Sequence, residues 1–123
     1  MTTKVWQEWS VAELVVEFAR ASLNQFQAEL ESDMRAQNTL VRKTMAIAEE
    51  LKRRPGDQRS ALMALYEHPN VQVRLNAARL SLAVAPTAAR EVISAISESK
   101  QYPQAGDAGM CLWAIEQGIF RPT

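Results

Sequence analysis

The sequence predicts an all-α protein of about six helices arranged as three stacked antiparallel hairpins. Apolar residues recur at three- and four-residue spacings along the chain, and no segment alternates as a strand does. Short connections between the helices predict antiparallel neighbours. The helix predicted from Val71 to Ala85 has two opposed apolar stripes, which indicates a central helix covered from two directions. One stripe holds Val73, Ala77, Leu80 and Val84, and the other holds Val71, Leu75, Ala78 and Leu82.

The first two helices are predicted over 11–31 and 34–54. Ser10 and Glu13 have the spacing of a capping box, and Asp33 is an expected cap for the second helix. The first helix is expected to bury Val11, Leu14, Val15, Phe18, Phe26 and Leu30, and to expose Glu13, Glu17, Arg20, Asn24, Gln27 and Glu31. The second helix ends in Lys52-Arg53-Arg54, which we interpret as cations that complement the helix dipole, with a binding patch as the alternative.

The later helices are predicted over 58–67, 71–85, 87–98 and 108–117. Proline in His68-Pro69-Asn70 turns the chain, and Asn70 is an expected N-cap of the central helix. Residues 100–106 are expected to form a polar loop, after which Asp107 caps the last helix. Gly118 is placed to end that helix in the left-handed conformation.

Composition favours one domain over 1–123, with an N-terminal extension over 1–9 and a C-terminal tail over 119–123. The 14 basic and 14 acidic residues balance, and the isoelectric point is near 6.6. This balance argues against a nucleic-acid binder, which normally has a basic surface. The single cysteine excludes an internal disulfide. With no apolar run of about 18 residues and no signal peptide, we expect a cytoplasmic protein without a membrane span.

No residue pattern predicts a catalytic, cofactor or metal site. His68 is the only histidine and lies in a turn, and Cys111 falls inside an apolar helix segment, where a buried thiol is expected. Gly106-Asp107-Ala108-Gly109 is expected either to cap a helix or to offer amides to an anion. Trp6 is expected to cover the first hairpin or to form an oligomer contact.

Four arginines are the candidate partner-binding residues, because arginine is a frequent anchor in protein interfaces and phosphate contacts. The alternative is an intramolecular role, in which the stem packs and the head binds a helix-end carbonyl or a carboxylate. We favour that alternative for Arg74. The four residues are Arg59, Arg74, Arg79 and Arg90.

The stretch from Leu62 to Leu82 resembles a HEAT or armadillo-type repeat. The run Asn70-x-x-Val73-Arg74-x-x-Ala77-Ala78 is similar to the D-x-x-V-R-x-x-A-A signature of the second repeat helix, with asparagine in place of aspartate. The whole chain, including residues 103–110, also resembles a small bacterial family of helical domains with no assigned function. These resemblances imply a HEAT-like α-α superhelix, and repeats of this kind generally bind a partner in a groove.

The sequence therefore favours a non-enzymatic protein-interaction module, as a monomer or a weak homodimer. The alternative is a nucleic-acid-associated HEAT-like repeat with an arginine-lined face. A third and weaker alternative is a small hydrolase centred on His68.

Overall fold

The computed structural model describes residues 5–123, which contain α-helices and 3-10 helices and no strand. The all-helical prediction is therefore confirmed for this part of the chain. The first four residues of the predicted N-terminal extension lie outside it. The elements are a 3-10 turn (Trp6–Glu8), α1 (Val11–Leu30), α2 (Met34–Arg53), a 3-10 segment (Gln58–Leu65), α3 (Val71–Ser81), α4 (Pro86–Glu98) and α5 (Gln104–Glu116).

The chain divides into two compact units, Met1–Ala61 and Leu62–Thr123. In the first unit, α1 packs against α2 as a hairpin. The predicted capping box is present: Ser10 Oγ accepts from the Glu13 amide at 3.0 Å, and Glu13 Oε1 accepts from the Ser10 amide at 2.8 Å. The Asp33 carboxylate caps α2 by accepting from the Ala36 amide at 3.0 Å. Both caps follow from side chains within three residues of the amides that they satisfy.

Two positions of α1 differ from their predicted environments. Leu30 was expected in the buried stripe but is 65% exposed. It is the last residue of the helix, and its side chain lies outside the face that α1 buries. Glu17 was expected on the solvated face but is only 7% exposed. Glu17 lies between Leu14 and Ala21 on the face that α1 buries, and the ammonium group of Lys43 on α2 compensates its charge at 2.8 Å.

The segment Gln58–Leu65 is a 3-10 helix and not the α-helix that the sequence predicted over 58–67. The segment follows Asp57, whose φ is +50°, and precedes the turn at Pro69. That short span favours tight i→i+3 bonds, as from the Tyr66 amide to the Met63 carbonyl at 3.1 Å. Pro69 restricts the residue before it, so the segment does not continue as a helix.

In the second unit, α3 packs against α4 and α5, and α4 packs against α5. Asn70 caps α3 as predicted, with its side-chain oxygen accepting from the amides of Gln72 and Val73 at 2.9 and 3.2 Å. Both apolar stripes of α3 are largely buried, although Leu80 is only half-buried. The buried members are Val71, Val73, Leu75, Ala77, Ala78 and Leu82.

The end of α3 and the start of α5 differ from the prediction by four residues each. The third helix ends at Ser81 and not at Ala85, because Pro86 disfavours helical angles for Ala85, which has φ −142° and ψ 61°. Pro86 then occupies the first turn of α4, where a missing amide hydrogen costs nothing. The fifth helix begins at Gln104 and not at 108.

The sequence predicts Asp107 as the cap of the last helix, but Asp107 lies inside the first turn of α5 and does not cap it. Its amide donates to the Pro103 carbonyl at 3.0 Å, in the regular helical pattern. A tertiary bond fixes this early start, since the Gln104 side chain is buried and bonded to Gln72 of α3. Gly118 ends α5 with a φ of +72°, as predicted, and its amide donates to the Ile115 carbonyl at 3.1 Å.

Candidate functional site

The described structure places the four candidate arginines in four different environments. Arg59 is held by Asp57 through Nε at 2.8 Å and Nη2 at 2.6 Å. These bonds lower the pKa of the Asp57 carboxyl. Arg74 turns back on the chain before its own helix, where its Nη1 donates to the carbonyls of His68 and Pro69 at 2.8 and 3.0 Å. Arg59 and Arg74 thus have intramolecular partners, as the alternative for Arg74 anticipated.

The other two arginines are exposed and belong to the second unit. Arg90 lies on α4, and Arg79 lies on α3 beside a concavity that Asp107 and Cys111 also line. Arg74 lines a different concavity, so Arg74 and Arg79 do not share a binding surface. The segment Gly106–Gly109 is part of α5, so most of its amides are already used by the helix.

The two residues considered for catalysis have structural environments. His68 Nδ1 accepts a hydrogen bond from the Asn70 amide at 3.0 Å, which fixes the turn before α3. Cys111 is buried, and burial raises the pKa of its thiol, although the nearby Arg79 guanidinium opposes this. A raised pKa keeps the sulfur protonated and weakly nucleophilic near neutral pH. Within residues 5–123, no group of three or more His, Cys, Asp or Glu residues is placed to hold a metal ion.

The second unit contains a groove of about 390 Å³ between the segment that precedes α3 and helix α4. Its walls are largely apolar, with two exposed carboxylates, Glu67 and Glu91, at its margin. We call this concavity the α4 groove. It is lined by Tyr66, Glu67, Arg74, Ala88, Glu91, Val92, Ala95, Ile96 and Ser99.

Three hydrogen-bonded side chains hold the wall of the α4 groove opposite α4. Arg74 fixes the His68–Pro69 turn, as described above. Ser81 Oγ donates to the Ala77 carbonyl at 2.7 Å and accepts from the Tyr66 hydroxyl. The wall is therefore fixed before any ligand arrives, which lowers the entropic cost of binding.

A chain of buried amide side chains joins α3 and α5. Gln104 Nε2 donates to Gln72 Oε1 at 3.0 Å, and Gln72 Nε2 donates to Asn76 Oδ1 at 2.9 Å. All three side chains are buried, and the described part of the chain contains no buried side-chain polar atom without a hydrogen-bond partner. The sequence had indicated only a polar flank for Gln72 and Asn76. Their i,i+4 spacing was the available local signal, while Gln104 offered none.

In the first unit, Arg54 connects the end of α2 to the segment before α1. Its Nε donates to Glu50 at 2.7 Å, and its Nη2 donates to the carbonyls of Trp6 and Trp9 at 3.0 and 2.7 Å. The sequence had grouped Arg54 with Lys52 and Arg53 as dipole-compensating cations. Trp6 contacts Trp9 edge to face, with ring centroids 5.1 Å apart, so Trp6 lies in this same cluster.

The buried carboxylate of Glu50 predicts a pH dependence of stability. Hydrogen bonds from Arg54 and then Arg53 hold the pKa of Glu50 below its ordinary value. The folded protein thus keeps this carboxylate ionised at a pH where the unfolded chain binds a proton. Its stabilising contribution is complete above the unfolded pKa of about 4.3 and is lost as the pH falls through the lower folded pKa.

We therefore expect Glu50→Gln to reduce the free energy of unfolding at neutral pH and to flatten its dependence on acid. Urea unfolding between about pH 6 and about pH 3 measures both effects. Glu49→Gln is the control, because Glu49 is the exposed neighbour. Equal acid slopes in wild type and Glu50→Gln would contradict the assignment.

None of the helices in residues 5–123 combines the length and apolar character that a bilayer crossing requires. The family model described as "Domain of unknown function (DUF2019)" matches residues 12–116. The chain is similar to the protein RPA1889 from Rhodopseudomonas palustris CGA009, whose crystal structure aligns with a TM-score of 0.94. The two are 47% identical over 98% of this chain and 100% of that chain. No curated protein matches the chain. The predicted resemblance to a bacterial helical family without assigned function is thus confirmed, and the chain belongs to the DUF2019 family.

Proposed function

We propose that this protein is a non-enzymatic interaction module whose α4 groove binds a segment of a protein partner. The segment has an apolar side chain flanked by lysine or arginine. The observation that carries the proposal is the groove itself, in which apolar walls are joined to two exposed carboxylates, Glu67 and Glu91. Apolar contacts in such a groove supply most of the affinity, and charges at its margin select the partner.

The charges of the groove favour a basic peptide over a nucleic acid. Among the described residues that line the α4 groove, Arg74 is the only cation, and its Nη1 donates to the carbonyls of His68 and Pro69. A phosphate group in the groove would meet the two carboxylates of Glu67 and Glu91 against the single positive charge of Arg74, so the balance of charge repels an anion. For this reason, we rank the alternative of an arginine-lined nucleic-acid face second.

We also propose that the chain is a HEAT/armadillo-like scaffold. The proposal is supported by the residues of the repeat-like signature, which cap α3, form its buried face and bind the preceding turn. Asn70 caps α3, and Val73, Ala77 and Ala78 are fully buried. Arg74 braces the turn before the helix. A non-enzymatic role fits the local environments of His68 and Cys111, whose side chains have structural contacts.

Selection from a displayed library of random 12-residue peptides tests the proposed function. We expect wild type to enrich sequences that place lysine or arginine next to a large apolar residue. The double variant Glu67→Lys/Glu91→Lys should lose these sequences, because it reverses the charge at the margin of the α4 groove. Glu116→Lys is the matched control, since Glu116 is an exposed glutamate on α5 that does not line the groove.

Three outcomes would contradict the proposal: no enrichment, equal enrichment by the double variant, or a loss of binding in Glu116→Lys as well. The nucleic-acid alternative has its own measurement, which is binding of duplex and single-stranded oligonucleotides as a function of salt. Binding that weakens steeply with added salt, and that requires Arg79 and Arg90, would favour it over the peptide groove.

A further inference from the structure

The α1 helix has a second apolar face, opposite to the one that it buries. Val16, Leu23 and Leu30 are 59%, 41% and 65% exposed and follow one another at intervals of seven residues. Ala12, Ala19 and Phe26 occupy the positions between them, and none of these three is fully buried. This is the heptad pattern of a helix that packs along a second helix. We call these six residues the α1 seam.

The hairpin core does not account for the α1 seam. Helix α1 buries Leu14, Phe18 and Ala21, which project from the other side of the helix. At about 100° per residue, Val16 and Leu23 point roughly opposite to that buried face. A continuous apolar stripe exposed on a helix marks an interaction surface.

We propose that the α1 seam is a homodimer interface, in which α1 packs antiparallel to α1 of a second copy around a two-fold axis. In the register that we propose, Val16 faces Ala19 of the second copy, and Ala12 faces Leu23 of the second copy. Each large side chain thus meets a small one. The two-fold symmetry repeats both contacts, as a self-complementary interface requires.

The charges beside the α1 seam select this antiparallel register. Glu13 and Arg20 are seven residues apart on the same edge of the seam, and both are exposed. Each also has a contact within its own chain, since Glu13 caps α1 and Arg20 Nη1 binds Glu17 at 3.0 Å. In the antiparallel register, Glu13 of each copy approaches Arg20 of the other, which gives two opposite-charge pairs. A parallel dimer would place Glu13 at the level of Glu13 and Arg20 at the level of Arg20, so the paired charges would be lost.

A concavity of about 350 Å³ lies along the same edge and is lined by Trp9, Ala12, Glu13, Val16, Glu17 and Arg20. The antiparallel register brings Leu23 of the second copy to Ala12, at this concavity. A projecting leucine and a recess are the complementary shapes that an isologous contact needs. The interface involves the first unit and is separate from the α4 groove, so a failure of either proposal leaves the other intact.

Sedimentation velocity of the full chain, from about 5 to about 500 micromolar, tests the association. One helix pair is smaller than a standard interface, so we expect a weak dimer. Val16→Glu should raise the dissociation constant at least about tenfold, because it places a carboxylate in the middle of the seam. Met110→Glu is the control, since Met110 is an equally exposed apolar residue on α5. Thermal melts followed by circular dichroism establish that both variants fold.

Cysteine cross-linking tests the register in a Cys111→Ser background. Under mild oxidation, a mixture of Ala12→Cys and Leu23→Cys chains should form a disulfide-linked dimer, because positions 12 and 23 face each other. Ala12→Cys alone should form little. A chain that stays monomeric up to the highest concentration, or a dimer unaffected by Val16→Glu, would overturn the interface. Efficient cross-linking of Ala12→Cys to itself would overturn the antiparallel register.

Discussion

Leu75→Ala is expected to lower the free energy of unfolding by about 2–5 kcal/mol. Leu75 is fully buried on α3, in the row of apolar residues that continues through Ala78 and Leu82. Removing its isobutyl group loses the transfer free energy of those carbons and leaves a cavity that rigid helices only partly fill. Urea unfolding followed by helical circular dichroism measures the change.

Leu80→Ala is the matched control for this prediction. The helical wheel alone placed Leu80 in the core, whereas the structure leaves it half-buried on the same helix. We therefore expect a smaller loss, of about 1 kcal/mol. Equal losses at positions 75 and 80 would contradict the orientation of α3 described here.

Arg54→Ala is expected to cost about 3 kcal/mol, at the low end of the range for breaking a buried ion pair. The substitution removes the bond to Glu50 at 2.7 Å and both bonds to the carbonyls of Trp6 and Trp9. Glu50 would keep only Arg53 as its partner. The cost is large because the carboxylate stays buried and loses its shorter hydrogen bond.

Arg53→Ala is the control, because Arg53 binds the same carboxylate from a more exposed position. Its side chain is 59% exposed, whereas that of Arg54 is 20% exposed. An exposed pair of this kind contributes less than about 1 kcal/mol. Arg54→Ala should also shift the tryptophan fluorescence, because the segment from Trp6 to Trp9 loses its anchor. Identical stability and emission in the two variants would show that the anchor has no effect.

The predictions that the structure confirms depend on residues close together in the sequence. Ser10, Asp33 and Asn70 cap their helices, and each binds an amide no more than three residues away. Gly118 ends α5 for a similarly local reason, which is its freedom to adopt a positive φ. The residues that begin and end these helices act through contacts with near neighbours in the chain, so a single sequence is enough to predict them.

The α4 groove could not be predicted from the sequence. Glu67 and Glu91 are separated by 24 positions, and nothing in the spacing of either residue indicates that they lie at one groove. The α1 seam was missed for a different reason. The spacing of apolar residues predicts Phe26 and Leu30 in a single buried stripe, whereas α1 has one buried face and one exposed apolar face. A helical wheel gives the angle of each residue but not the side on which the neighbouring helix packs.

The sequence by itself determined that this chain is helical and where most of its helices begin. Only the tertiary structure decided which charged side chains are buried and which helices begin or end at residues other than the predicted ones. Lys43 binds Glu17 across 26 positions, Gln104 binds Gln72 across 32, and Arg54 binds the Trp6 carbonyl across 48. Helix capping involves neighbours along the chain, whereas burial of a charge depends on which distant side chain the fold brings within about 3 Å.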